Sequence, residues 1–122
     1  GTLGPVTRKA AELGVPIPPG GATPSDIMRA IDLGLEVVKL FPAGVVGGPA
    51  AIKAFSGPFP GLRFMPTGGV SLANLADYFA IPAVLAVGGS WMVERSLITG
   101  GKFAEITALT QDAVAAAGKL RP

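Results

Sequence analysis

The 122-residue sequence contains no cysteine and no histidine. Without cysteine there can be no disulfide and no thiolate chemistry, and the composition fits a cytoplasmic setting. Without histidine no Ser-His or Cys-His pair can form within the chain. A zinc site would have to be built from carboxylates alone, so no metal and no cofactor is expected. Charged residues are only 15% of the chain and aromatic residues 7%, with a net charge of +2 and no basic run. Nucleic-acid binding therefore has little support. No apolar run is as long as a membrane span, and no signal peptide is visible. The chemistry left is that of lysine, carboxylate, hydroxyl and backbone amide.

What is abundant is apolar surface: 49% of residues are hydrophobic, enough for a packed core in one domain or part of one. The chain is organised around Glu36-Val37-Val38-Lys39-Leu40-Phe41-Pro42, a short β-branched run interrupted by one cation. It reads as a buried strand with a proline stop. Strand alternation puts Val37, Lys39 and Phe41 on one face, so Lys39 is expected to point into an apolar interior. An ammonium group is costly there, and losing its proton relieves the cost. The competing reading is an edge-strand lysine whose stem lies on apolar surface and whose head is in water.

Before this strand, residues 5–13 read as a short helix stopped by Gly14. Residues 15–18 read as a short extended segment, and 19–22 as a turn. Thr23-Pro24-Ser25-Asp26 opens a helix, with Thr23 as N-cap and Asp26 three residues later; Ile27, Ala30 and Ile31 supply its buried stripe. After the strand comes a glycine-rich loop to Gly48, then a helix over 49–55 with Ile52 and Phe55 inward. Residues 62–65 are the next strand, followed by the turn Pro66-Thr67-Gly68-Gly69. Ser71 is expected to cap a helix running to about Phe79. Residues 83–87 form a further strand, leading into Gly88-Gly89-Ser90-Trp91. A last helix, about 103–117, carries Phe103, Ile106, Leu109 and Val114 at helical spacing.

Strands thus start near 16, 36, 62 and 84, each leading through Pro or Gly into a helix, which implies parallel strands. Four such units leave two open edges and an apolar concave face, whereas a complete eight-fold barrel needs roughly 200 residues or more. The expected fold is α/β, with residues 1–122 forming the C-terminal half of a TIM (β/α)8 barrel whose first half is absent. The opening Gly1-Thr2-Leu3-Gly4, without a methionine, suggests that something upstream was removed. An open doubly wound sheet is the alternative, though it usually has at least five strands.

Ligands bind at the carboxyl ends of such strands. There Lys39 meets two glycine-rich turns, Thr67-Gly68-Gly69 and Gly88-Gly89-Ser90. Adjacent glycines let backbone amides approach an anion closely. A lysine amine attacks a carbonyl only when neutral, and at an ordinary pKa about one in 2,500 is neutral at pH 7. Burial recovers much of that factor. The physical reading is a Schiff-base lysine facing a phosphate-bearing keto acid.

Five stretches in order carry a resemblance: 19–26 (Pro-Gly-Gly-Ala-Thr-Pro-Ser-Asp), 38–43 (Val-Lys-Leu-Phe-Pro-Ala), 57–60 (Gly-Pro-Phe-Pro), 63–70 (Arg-Phe-Met-Pro-Thr-Gly-Gly-Val) and 87–91 (Val-Gly-Gly-Ser-Trp). Together the sequence resembles the second half of the 2-keto-3-deoxy-6-phosphogluconate (KDPG) aldolases, class I enzymes on an eight-fold barrel. The resemblance implies cleavage of KDPG to pyruvate and glyceraldehyde 3-phosphate. It puts Lys39 on the Schiff-base position and Phe41 beside the imine. Thr67 falls near the pyruvate unit, and Gly68, Gly69, Gly88, Gly89 and Ser90 on the phosphate side. It also implies a metal-free homotrimer. The family's general-base glutamate and carboxylate-binding arginine lie in the other half, and no residue here inherits those roles. Glu36, Asp26 and Glu94 read as solvated or capping groups, and Trp91 as packing. A 4-hydroxy-2-oxoglutarate specificity is the alternative within enzymes. A non-catalytic half-barrel that pairs with itself or with a complementary half is the alternative outside them.

Overall fold

The computed structural model describes residues 4–121. Helix α1 (Gly4–Glu12) leads through Gly14, at φ +67°, into an extended proline-rich segment. Strand β1 (Gly20–Gly21), helix α2 (Pro24–Asp32), strand β2 (Val37–Leu40), helix α3 (Gly48–Ser56) and strand β3 (Arg63–Phe64) then alternate. Helices α4 (Leu75–Phe79), α5 (Arg95–Thr99) and α6 (Phe103–Leu120) complete the chain, with a single 3-10 turn at Trp91–Val93. None of the described helices is long and apolar enough to cross a membrane.

The sheet order is β1-β2-β3 and both pairings are parallel, with Gly20 opposite Lys39 and Val38 opposite Phe64. It continues past β3 only as isolated parallel bridges, Phe64 to Val84 and Thr67 to Gly88. The strand expected over 83–87 is therefore corrected to two bridge points, and that expected over 62–65 to Arg63–Phe64. Prolines 66 and 82 flank these segments and lack the N–H that a ladder needs.

The Gly20-Gly21 pair, expected as part of a turn, is strand β1 instead. A Cβ on Gly21 would stand 3.0 Å from the Asp26 side chain and 3.3 Å from Val38. Gly21 lets α2 close on the sheet; it does not reverse the chain. Helix α2 starts as its sequence indicates. Thr23 Oγ1 accepts from the Asp26 amide at 3.2 Å, and the Asp26 carboxylate accepts from the amides of Ala22 (2.9 Å) and Thr23 (3.2 Å). This capping box satisfies amides that the first helical turn leaves without intrahelical partners.

The core is one-sided. Val38, Leu40, Phe64 and Val84 are fully buried, packed with Ile27, Ala30, Ile52, Leu75 and Tyr78 from the helices. Ile31 is exposed, so the buried stripe of α2 is Ile27 and Ala30. Ser71 does not cap α4: its amide donates to Asn74 Oδ1 at 2.9 Å, and the helix starts at Leu75. In α6, Phe103 and Val114 are exposed. The half-buried positions are Ile106, Leu109, Ala113, Ala116 and Ala117, a stripe of 3.6-residue period that keeps Ile106 and Leu109 of the expected residues and runs on through alanines instead of Val114. At its end, Arg121 donates to the carbonyls of Val84 (2.9 Å), Phe79 (3.0 Å) and Ile81 (2.8 Å).

Candidate active site

The alternation of β2 decides where Lys39 stands. Val38 and Leu40 face the helices and are sealed, while Val37 and Lys39 are half-buried and Phe41 is 54% exposed. The expectation that Lys39 points into a closed apolar interior is corrected: it is half-buried, on the face whose Val37 and Met65 line an open cavity. Its neighbours on that face follow from the register. Gly20 is its partner on one side, and a Cβ there would meet nothing within 4 Å. Met65 lies beside it on the other side, since Phe64 pairs with Val38 on the buried face. Lys39 Nζ lies 5.7 Å from the centre of the Phe41 ring. The one ion pair among the described residues joins Lys9 and Glu12, so Lys39 has no carboxylate counter-ion there.

The loop after β2 is stitched to the loop after β3. Ala43 N–H donates to Thr67 O at 2.8 Å, and Gly44 N–H to Gly68 O at 3.0 Å. Thr67 N–H donates back to Leu40 O at 2.9 Å. Gly68, at φ +92°, also needs to be small: a Cβ would stand 3.3 Å from the Phe41 ring and 3.2 Å from Pro42. Asn74 fixes the far end of this loop by donating from Nδ2 to Gly69 O at 2.8 Å.

The third loop touches the second. Gly88 N–H donates to Pro66 O at 2.9 Å, and a Cβ on Gly88 would stand 2.6 Å from Thr67 Oγ1. The Gly88 amide is thus spent inside the protein. The amides of Gly69, Gly89 and Ser90 meet no acceptor among the described residues. Ser90 is exposed and makes no side-chain capping bond to the turn that follows.

Short contacts thus tie the Phe41–Gly44 loop to Thr67, Gly68 and Gly69, and Thr67 to Gly88, at the carboxyl ends of the strands, with Lys39 Nζ 5.7 Å from the Phe41 ring centre and Gly89 and Ser90 next along the third loop. A cavity of about 770 Å³ lies on the same face of the sheet but nearer the amino ends of the strands, lined by Thr7, Val15, Glu36, Val37, Met65 and Leu85. It opens near the start of β2, and neither Lys39 nor the glycine loops line it. Among the described residues no group of three or more His, Cys, Asp or Glu gathers that could hold a metal ion. Asp26 is a cap and not a candidate base: the Ala22 amide, with the Thr23 groups, holds its pKa below the usual 3.8.

A family model described as KDPG and KHG aldolase matches residues 1–109. The chain belongs to the KDPG and KHG aldolase family. A 2-dehydro-3-deoxy-phosphogluconate aldolase of Pseudomonas aeruginosa is 53% identical over 107 residues, which is 88% of this chain and 49% of that protein. The KHG/KDPG aldolase of Escherichia coli K12 is 43% identical over 114 residues, 93% of this chain and 54% of that protein. Among solved structures, the KDPG aldolase of Legionella pneumophila, with pyruvate captured as a covalent carbinolamine, superposes with a TM-score of 0.84 at 36% identity. That match covers 89% of this chain and 53% of the other. The Zymomonas mobilis ZM4 enzyme with 3-phosphoglycerate gives a TM-score of 0.78 at 36% identity, covering 88% and 50%. The chain spans about half the length of the curated relatives it matches. The α/β arrangement of parallel strands is that of the family's structures.

Two residues that tie these loops were not singled out for that from the sequence: Gly44, whose amide donates to Gly68 O, and Asn74, whose Nδ2 donates to Gly69 O. Asn74 had a usable signal, an amide side chain three residues after Ser71 at the start of a helix. Gly44 had none, because its bond depends on the chain crossing to the next strand.

Proposed function

We propose that this chain carries the Schiff-base lysine and phosphate-side loops of a class I aldolase that cleaves KDPG to pyruvate and glyceraldehyde 3-phosphate. The observation that carries the proposal is Lys39 itself: half-buried, without a counter-ion among the described residues, and with its Nζ 5.7 Å from the centre of the Phe41 ring. The carbinolamine captured in the Legionella enzyme is the adduct that such an amine forms with a keto acid.

In the proposed reaction the neutral Nζ lone pair adds to C2 of the keto acid, an amine proton passes to the former carbonyl oxygen, and the carbinolamine takes up one proton as it loses water, which leaves a protonated imine. A base takes the C4 hydroxyl proton, the C3–C4 electron pair moves into the iminium, and the aldehyde departs. The enamine is protonated at C3, and water releases pyruvate and the free lysine. Thr67 would stand beside the pyruvate unit and Phe41 beside the imine. Gly68, Gly69, Gly88, Gly89 and Ser90 would line the phosphate side. The Gly69, Gly89 and Ser90 amides and the Ser90 hydroxyl are its available donors, since the Gly88 amide is occupied. Glu36 lies at the opposite end of β2 from the glycine loops, and Asp26 is engaged as a cap. The base is therefore proposed to come from outside the described residues, as the family pattern implies.

The exposed face of Phe41 and Leu85 supports two further points. The chain is proposed to be the C-terminal half of a (β/α)8 barrel, and that face to be covered by a complementary half or a second copy in a homo-oligomer, a trimer by family pattern. Covering it would shield Lys39 from water. Until it is covered, the chain acts as a non-catalytic half-barrel. Absence of cysteine supports a cytoplasmic setting.

The test is pyruvate release from KDPG and from 4-hydroxy-2-oxoglutarate by the chain together with its complementary half, with Lys39→Met as control, alongside sedimentation. A faster rate with KDPG that Lys39→Met abolishes is expected, with an assembly larger than the monomer. Equal rates with both substrates would favour the broader specificity. Turnover that survives Lys39→Met would remove the mechanism.

A further inference from the structure

We propose that Trp91 is a positioning residue for anion binding: its indole supports Gly89 from beneath and fixes the rim on which a ligand's phosphate rests. The inference depends on the reading that Gly89 and Ser90 lie on the phosphate side.

Gly89 does not have a positive φ, so no unusual backbone angle demands glycine there. Space does. A Cβ on Gly89 would fall 1.8 Å from Trp91 Cζ3 and 2.3 Å from Cε3, inside the benzo ring of the indole. The ring therefore lies directly against the Gly89 Cα. It is in turn packed on the hydrophobic core, and its 3-10 turn packs against α6. Its Nε1–H is buried and finds no acceptor among the described residues. A buried donor left without a partner is a cost that hydrogen bonding does not offset here, so the ring's position is explained by its shape. On the other side, Gly88 is held by its bond to Pro66 O and its contact with Thr67. The rim is clamped between Thr67 and the indole, while the Gly89 and Ser90 amides remain unspent. Amides held in advance bind an anion without paying to order the loop.

Trp91 is the only tryptophan in the chain, so its fluorescence can be assigned to this contact. The experiment titrates the 122-residue chain with glyceraldehyde 3-phosphate and, separately, pyruvate, following fluorescence and calorimetry. The wild type is expected to show a saturable fluorescence change with the phosphorylated ligand and none with pyruvate. In Trp91→Ala the ratio of the two affinities should fall about tenfold against the phosphorylated ligand, the loss of roughly one hydrogen bond to an ionised acceptor. Gly89→Ala, which displaces the ring, should cause a similar loss. The double variant should lose no more than either single one, because both act through one contact.

If the wild type gives no saturable binding of glyceraldehyde 3-phosphate by calorimetry, the phosphate-side reading itself fails. If it binds but Gly89→Ala and Trp91→Ala keep the same affinity ratio, the role of Trp91 alone is overturned. Equal weakening of both ligands would also overturn it, since that is what a merely structural residue gives. Should Trp91→Ala not fold, Trp91→Leu takes its place, with the same outcomes.

Discussion

Helix α6 has no fully buried residue, yet it is the longest helix of the chain. Its docking should depend heavily on Arg121, whose guanidinium gathers the carbonyls of Phe79, Ile81 and Val84 and stands 5.7 Å from the centre of the Phe79 ring. Replacing Arg121 by Ala removes all three bonds. Ile81 O keeps the Val84 N–H at 3.0 Å, so of the three carbonyls that lose Arg121 only those of Phe79 and Val84 are left without a partner among the described residues. A hydrogen bond from a charged donor is worth about 1.5–3 kcal/mol. The bonds are only part-buried, so water recovers some of that, and the lower part of the range applies. The expected loss is roughly 2–4 kcal/mol, which for a domain of this size lowers Tm by roughly 8–16 °C. Arg121→Lys should restore about half, because an ammonium lacks the planar fork that reaches several carbonyls at once. Thermal and urea unfolding followed by far-UV circular dichroism measures both. A change below about 0.5 kcal/mol for Arg121→Ala, the range of ordinary surface substitutions, would refute the reasoning.

The α2 cap and the buried tyrosine give further tests. Thr23→Ala should cost about 1 kcal/mol at neutral pH by urea unfolding. The Asp26 pKa is lowered on folding by the Ala22 amide, so its contribution is present above 3.8 and drains away as pH falls through its folded value. Asp26→Asn should therefore destabilise at pH 7 and make little difference at strongly acid pH. Burial raises the Tyr78 pKa above 10.0, so its neutral phenol favours the fold below that pH and the benefit is lost as pH climbs through the folded value. Wild type should lose more stability than Tyr78→Phe between pH 8 and 11; equal losses would contradict the assignment.

Local chemistry was readable in the sequence wherever it depended on neighbours along the chain. The Thr23–Asp26 cap, the glycine stop after α1 and the parallel β-α alternation all follow from short-range spacing. What depended on packing between distant segments was not readable. Gly20-Gly21 looks like a turn unless one knows that α2 presses on Gly21. The stripe of α6 is ambiguous because alanine serves either face. The parity of β2 was read correctly, but not which of its two faces is sealed: Val38 and Leu40 are as apolar as Val37 and Phe41, and only the helix positions distinguish them. The glycine loops were found by composition, whereas the spending of the Gly88 amide on Pro66 is a tertiary fact.

The central claim is that Lys39 condenses with a keto acid. Incubating the chain with pyruvate and borohydride, then mapping the product by mass spectrometry, tests it most directly. The account requires one adduct, heavier by pyruvic acid less one oxygen atom, carried on the peptide containing Lys39 and lost in Lys39→Met. An unmodified chain, or the same mass spread over Lys9, Lys53, Lys102 and Lys119, would contradict it.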